Sequence, residues 1–169
     1  VRDSLVDFII VNPAYYVEME HDFSVNRIAT ITSYYPENIS RHFGGVIFTK
    51  KSNTGINDID DLKSKSFSAV SKTSLGGWLA ALREFNSKGV MPERYFSKLK
   101  FEEEHDKVVY SVLYGKSDAG TVRTGILERM HLEGKISIND FKILNTSDIN
   151  FPLALSTGLY PEWPIAKLK

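Results

Sequence analysis

No cysteine occurs in the 169 residues. That excludes thiolate metal sites, disulfides and thiol catalysis, and it fits an extracytoplasmic protein without demonstrating one. No apolar run approaches the roughly 18 to 20 residues that a membrane-spanning helix requires, and no signal peptide is visible. Neither sign of charge is in excess: Lys plus Arg and Asp plus Glu number 21 each. No global field therefore draws the chain to nucleic acid or to an anionic membrane, and any anion site has to be local. Repeats and low-complexity stretches are also missing. What remains is 42% apolar and 25% charged residues, enough to fill and cover one ordinary domain or two small lobes.

The chain opens at Val1 with VRDSLV, which reads as a helix tail running into a strand over residues 6–11 (VDFIIV). That strand is nearly continuous apolar, as expected for burial on both faces, and Asn12-Pro13 ends it. At the other end EWPIAKLK reads as the first turn of a helix. Together these ends suggest a fragment of a longer polypeptide. Between them, residues 27–32, 45–49, 67–70, 98–101, 118–122 and 141–144 read as strands, with 153–156 as a further candidate. Residues 58–63 read as a helical turn that packs Ile59 and Leu62. Helices are expected from the Ser74 region to about residue 86, with Gly89 as a stop, over 106–114, and over 124–133. Residues 34–43 and 145–150 read as loose connections. Strands and helices thus alternate from 67 to 144, the α/β pattern of a parallel sheet with crossover helices.

Four stretches carry candidate chemistry. SKTSLGGWLAALREF, residues 71–85, places Ser71, Thr73, Ser74, Gly76 and Gly77 directly ahead of a helix. A helix N-terminus offers unpaired amides and partial positive charge, so hydroxyls and glycines there can cradle an anion. The plainer alternative is a Ser74 cap with glycines for close packing. His105, beside Asp106 and ahead of a helix, could donate to an oxyanion; alternatively Asp106 caps the helix and His105 is solvated. The glutamates 102–104 read as a solvated run. Arg123, at an apolar strand end, could present its fork of donors to an oxyanion or close a salt bridge. Tyr15 and Tyr16 follow the first strand, one facing the crevice and the other packed in the core. No nucleophile–base pair, paired carboxylates or metal spacing accompanies them, so binding is favoured over catalysis and no cofactor is called for.

VDFIIVNPAYYVEME, GGVIFTKK with DIDDLKSKSFSAV, SKTSLGGWLAALREF, HDKVVYSVLYGKSDAGTVRTGILERM and FPLALSTGLYPEWPIAKL, taken in order, resemble the phosphonate-binding-type periplasmic domain. The likeness is strongest to its version in bacterial sensor histidine kinases, including tetrathionate and thiosulfate sensors. This resemblance implies an α/β fold of the type II periplasmic-binding-protein kind, with two lobes and a ligand cleft. Residues 67–143 would form the second lobe. Residues 1–66 with 144–169 would form the first, truncated here because the family carries a further strand–helix–strand portion. The oxyanion pocket would fall on Ser71, Thr73, Ser74 and His105, with Tyr15 or Tyr16 from the opposite lobe; Gly76 is a candidate from the strand-end argument, where it lets a ligand approach the backbone. Arg123 and Thr124 belong to the sensor-branch motif GTVRTGILERM, and their contact with the ligand is inferred from their place at a strand end.

The resulting expectation is the extracytoplasmic ligand-sensing domain of a membrane-bound, two-component sensor histidine kinase. It would bind a small anionic ligand and pass the signal through the membrane to the rest of the kinase chain. The domain itself would not be an enzyme, although its parent is a protein-histidine kinase. Nucleic acid is not an expected partner, and homodimerisation is left open. The rival reading is a solute-binding protein serving an ABC transporter for phosphonate or a related anion.

Overall fold

The computed structural model describes residues 6–35 and 38–168. They fold as two compact units, Val1–Phe43 with Leu159–Lys169, and Gly44–Gly158. In chain order the first elements are β1 (Phe8–Ile10), α1 (Pro13–Phe23), β2 (Asn26–Thr30), β3 (Ser33–Tyr35), β4 (Asn38–Ser40), β5 (His42–Phe43), β6 (Gly45–Lys50) and β7 (Ser66–Ala69). There follow α2 (Ala80–Ser87), α3 (Pro92–Tyr95), β8 (Lys98–Phe101), α4 (His105–Leu113), β9 (Ala119–Arg123), α5 (Ile126–Leu132), β10 (Phe141–Leu144), β11 (Tyr160–Pro161) and β12 (Pro164–Lys167). The expected helix tail at the N-terminus lies outside the described residues.

In the smaller unit, Asn12-Pro13 both ends β1 and starts α1. Asn12 Oδ1 accepts from the Ala14 amide at 2.9 Å, and Pro13, which lacks an amide hydrogen, costs nothing in the first turn. β12 lies between β1 and β2, antiparallel to both. One face of this sheet packs on α1 through Tyr16, Val25, Ala166 and Leu168, with Ile9, Val11 and Met19 beside them. The other face is open: Phe8 and Ile10 are 55% and 59% exposed. Burial of the first strand on both faces is thus corrected; alternation puts Ile9 alone of the three on the α1 side.

The C-terminal helix turn is corrected as well. Ala-Lys-Leu-Lys has good helix propensity, but Ala166 and Leu168 are buried while Lys167 is exposed, a period of two. Ladders on both sides override the local preference. The described residues within 34–43 are more ordered than a loose connection: β3 pairs antiparallel with β4, Ser33 opposite Ser40, and β5 pairs with β11.

The larger unit is built on a five-stranded sheet of order β10-β6-β9-β7-β8. β7 is parallel to β8 and β9, whereas β6 is antiparallel to β9 and β10. The sheet is therefore mixed: of the strands expected to form a parallel sheet over 67–144, β7, β8 and β9 pair in parallel, whereas β10 pairs antiparallel with β6. β6 is buried from Gly45 to Thr49, so its side chains feed two cores. Ile47 joins Phe67, Trp78, Phe85 and Phe96 on the α2 side, where Phe67 and Phe96 stack at 4.7 Å. Val46 and Phe48 join Val108, Val109, Val112, Leu127 and Met130 under α4 and α5. The turn at 58–63 is a 3-10 turn, Ile59–Leu62, closed by a reciprocal Asp58–Asp61 capping box.

Residues 153–156 do not form a strand, yet they lie along β6. Ser156 donates its amide to Gly45 O at 2.9 Å, while its hydroxyl accepts from the Ile47 amide and donates to Leu144 O. Thr157 Oγ1 accepts the Gly45 amide at 2.9 Å. Side-chain hydroxyls thus satisfy amides that a ladder would otherwise take.

Gly77 shows how tightly the α2 side is closed. A Cβ there would sit 2.4 Å from Val70 Cγ2 and 2.7 Å from Ser74 Oγ. Gly77→Ala is expected to destabilise the protein by about 1–3 kcal/mol, the usual range for overpacking. A lowered urea midpoint at constant m-value would register this; an unmoved midpoint would mean that β7 and the following turn separate at no cost.

Candidate functional site

Ser71 follows β7, His105 opens α4 after β8, and Arg123 closes β9. Since β7 is parallel to both neighbours, these carboxyl ends lie on one side of the sheet, where open α/β sheets hold ligands. The contact continues beyond the strands: the Glu102 amide donates to Ala69 O at 2.9 Å and the Glu103 amide to Val70 O at 2.8 Å. Glu103 then adopts φ 66° and turns the chain into α4.

The stretch after β7 enters its helix through a π turn, Leu75–Leu79, continuous with α2. The Leu79 amide reaches Ser74 O at 3.0 Å, the i to i−5 bond of that wider geometry. Ser74 is the cap, its Oγ accepting from the Gly77 amide at 3.2 Å. The capping alternative is thus observed, and it leaves Ser74 one hydroxyl hydrogen to donate. Ser71 is half-buried and Thr73 exposed. Gly76 is buried, its carbonyl 3.2 Å from where a Cβ on Gly45 would stand. Gly76 and Gly77 therefore serve packing.

His105 is half-buried, and its Nδ1 accepts the backbone amide of Arg123 at 3.3 Å. An amide can only donate, so Nδ1 carries no proton and the imidazole hydrogen sits on Nε2. Burial pushes His105 down to about 4; Arg123 and Arg129 add to this and Asp106 opposes it. At neutral pH His105 is an uncharged N–H donor at a helix N-terminus, suited to an oxyanion without carrying a charge of its own.

Two expectations around His105 are corrected. Asp106 does not cap α4, whose N-cap is Glu104 without a side-chain bond. Its carboxylate instead binds Arg129 and Lys135; burial opposes ionisation, but these two cations hold Asp106 below the usual carboxylate range. Nor are residues 102–104 uniformly solvated. Glu102 pairs with Lys100 at 2.7 Å, and its carboxylate accepts from Ser68 at 3.4 Å. Ser68, Ser111 and Ser117 form a buried hydroxyl trio behind it. The sequence signal for Glu102 is its place directly after the apolar Leu99 and Phe101 alternation, in the first contact past the strand.

Arg123 is half-buried at its strand end. Thr124, placed with Arg123 at the strand end as a candidate ligand contact, is only 2% exposed. Its amide donates to Gly44 O at 3.0 Å and its Oγ1 accepts the Gly44 amide at 3.2 Å. It therefore ties β9 to the segment entering β6. Gly44 and Thr157 were missed altogether, because side-chain bonding to a strand amide has no periodic signature. In the smaller unit Tyr16 is buried, its hydroxyl donating to Glu20 at 2.6 Å and accepting from the Arg27 amide at 3.2 Å. That makes it the core member of the tyrosine pair, while Tyr15 is 42% exposed. Among the described residues no cluster of metal-binding side chains occurs, and no helix is long and apolar enough to cross a membrane.

Residues 1–166 match the family described as the periplasmic substrate-binding protein of phosphonate ABC transporters. The chain belongs to that family. It is 31% identical over 169 residues to the tetrathionate sensor histidine kinase TtrS of Salmonella typhimurium, covering 99% of this chain and 28% of that protein. It thus spans little more than a quarter of that relative. A phosphonate-transporter binding protein from Pseudomonas aeruginosa superimposes with TM-score 0.73 at 18% identity, over 98% of this chain and 52% of that one. Prochlorococcus marinus PhnD1, solved with methylphosphonate, gives 0.68 at 18%, covering 99% and 58%. XAC2383 of Xanthomonas citri, solved with ATP, gives 0.76 at 15%, covering 99% and 59%. The fold is mixed α/β of the type II periplasmic-binding-protein kind, and the family is one of extracytoplasmic ligand-binding modules.

The buried imidazole sets a pH dependence. Its folded pKa, about 4, lies below the ordinary 6.5. The native state is therefore favoured where the ring is neutral, fully so above pH 6.5, and loses that advantage as pH falls toward 4. Relative to His105→Gln, the native protein should lose at most about 3 kcal/mol across this window, measured by urea unfolding. A difference that stays constant with pH would show a solvated, normally titrating imidazole.

Proposed function

We propose that this chain is the ligand-sensing part of a membrane-bound sensor histidine kinase and binds a small oxyanion beside Ser71, Thr73, Ser74, His105 and Arg123. The observation that carries the reading is the neutral His105 donor, fixed by the Arg123 main chain at the junction of three parallel strand ends. Such a group supplies a hydrogen bond without a proton to lose, and the neighbouring guanidinium supplies charge and direction. Tyr15 belongs to the smaller unit, so its share in the site rests on the family resemblance alone. The kinase context rests on the 31% identity to a tetrathionate sensor. The family description itself favours a second reading, a transporter's binding component; a membrane helix and kinase modules encoded in the same polypeptide would decide for the sensor.

Screening by thermal shift against phosphonates, phosphate, sulfate, thiosulfate, tetrathionate and carboxylates should find at least one stabilising anion, because a ligand of the native state raises the midpoint. Arg123→Ala removes the guanidinium while keeping the amide that holds His105. It is expected to weaken that anion by about 1.5–3 kcal/mol, the range for hydrogen bonds to charged groups. Unchanged affinity in a calorimetric titration would take Arg123 out of the site.

A further inference from the structure

The smaller unit carries a second feature, independent of the oxyanion reading. A groove of about 640 Å³ follows β2, lined by Arg27, Ile28 and Thr30 among others, with Arg41, His42 and Pro161 also on its walls. β2 pairs with β12 on one side, and among the described residues no strand occupies the other. Its first four residues are exposed, Ile28 by 57%. Neither guanidinium, of Arg27 or of Arg41, has an ion-pair or hydrogen-bond partner among the described residues. Among the described residues no carboxylate lines the groove. Glu162, next to Pro161, is 1% exposed, with Oε1 taken by Ser33 Oγ at 2.6 Å. In a protein with 21 charges of each sign, this is a local surplus of positive charge along a strand edge.

We propose that this groove docks an acidic, extended segment of a partner protein, laid beside β2 with its carboxylates on Arg27 and Arg41. The groove tracks four successive strand residues, about 13 Å at ~3.3 Å per residue, which suits a strand better than a compact anion. Ile28 and Pro161 also line it, apolar surface that suits the alternate, apolar side chains of such a segment. The Arg27 amide already donates to Tyr16 Oη, so main-chain pairing starts beyond it and Arg27 contributes its guanidinium. The register skips Ile28 opposite β12, and a bulge with an adjacent charge discourages indiscriminate edge pairing. A second copy of this chain would bring arginines against arginines; an acidic strand meets no such penalty.

The probe is the peptide acetyl-Glu-Val-Glu-Val-Glu-Val-amide, titrated into the ¹⁵N-labelled 169-residue chain, with the Lys-for-Glu peptide and free glutarate as controls. Shifts confined to residues 27–30 and 41–42, weakening with salt and by roughly fivefold for Arg27→Ala or Arg41→Ala, are expected. The Arg27→Glu, Arg41→Glu double variant should exchange preference to the lysine peptide. Both positions are exposed, and an unchanged dispersion of the remaining amides establishes that the variant is folded. Absence of shifts, equal binding of both peptides, or glutarate binding as tightly at the same residues would overturn the proposal, the last by making the groove a small-anion site.

Discussion

The arrangement of the larger unit turns on one hydrogen bond, from the Arg123 amide to His105 Nδ1. It links the end of β9 to the start of α4, two points separated in the sheet by the intervening β7. The same bond decides the tautomer of the imidazole, hence which nitrogen faces outward as a donor. Once it is made, protonating His105 would place hydrogen against hydrogen at Nδ1. Burial and the two nearby guanidiniums act in the same direction, while Asp106 is drawn away by Arg129 and Lys135. Geometry and electrostatics therefore agree on a neutral ring.

Around that bond the polar interior is ordered in a chain of satisfied groups. Ser68, Ser111 and Ser117 share hydrogen bonds beneath Glu102, and Glu102 holds Lys100. Burial works against ionising Glu102, but the bonds from Lys100, Ser111 and Ser68 keep its carboxyl below the usual range. On the opposite side of the sheet order, Ser156 and Thr157 fill the amides of β6. A buried network of this kind contributes little net energy per bond, about 1 kcal/mol. Leaving one group unpaired costs more, so the network fixes where β7, β8 and β6 end rather than how stable they are. Those ends are where the candidate donors stand.

The core of this arrangement was legible in the residues because it is periodic. GVIFT and the Val108, Val109, Val112 stripe mark a strand and a helix whose burial follows from spacing alone. Lys98–Phe101 and Phe141–Leu144 lie where alternation placed them. The failures share one physical cause. EWPIAKLK has helical propensity, but pairing to both β1 and β2 makes it a strand; ladder partners distant in sequence leave no local trace. Phe8 and Ile10 look like core residues, and only the absence of a described cover on their side exposes them. Asp106 beside His105 looks like a cap until Arg129, 23 residues away, takes its carboxylate. For the site, Ser74, His105 and Arg123 were visible as strand-end residues, whereas the roles of Thr124 and Glu102 depend on partners at Gly44 and Ser68 that no spacing rule points to.

A chain with no net charge can still favour an anion if its donors are neutral and its cations few and directed. The charges around α4 illustrate this: Asp106 and Glu133 are matched by Arg129 and Lys135, so this cluster projects little field toward the strand ends. The strand-end set proposed for the ligand comprises the His105 N–H, hydroxyls and the Arg123 guanidinium. Recognition by such a set is short-ranged, since it depends on hydrogen-bond geometry rather than on a Coulomb field that decays over a Debye length, about 8 Å at physiological salt. A ligand must then fit the donor positions to gain anything, and a monovalent ion passing nearby gains little. The same reasoning separates the β2 groove, where two guanidiniums without partners among the described residues set up a field, from the proposed strand-end site, where orientation would do most of the discrimination. On the two proposals one chain would carry two electrostatic designs: neutral donors where strand ends converge, and cations along an exposed edge.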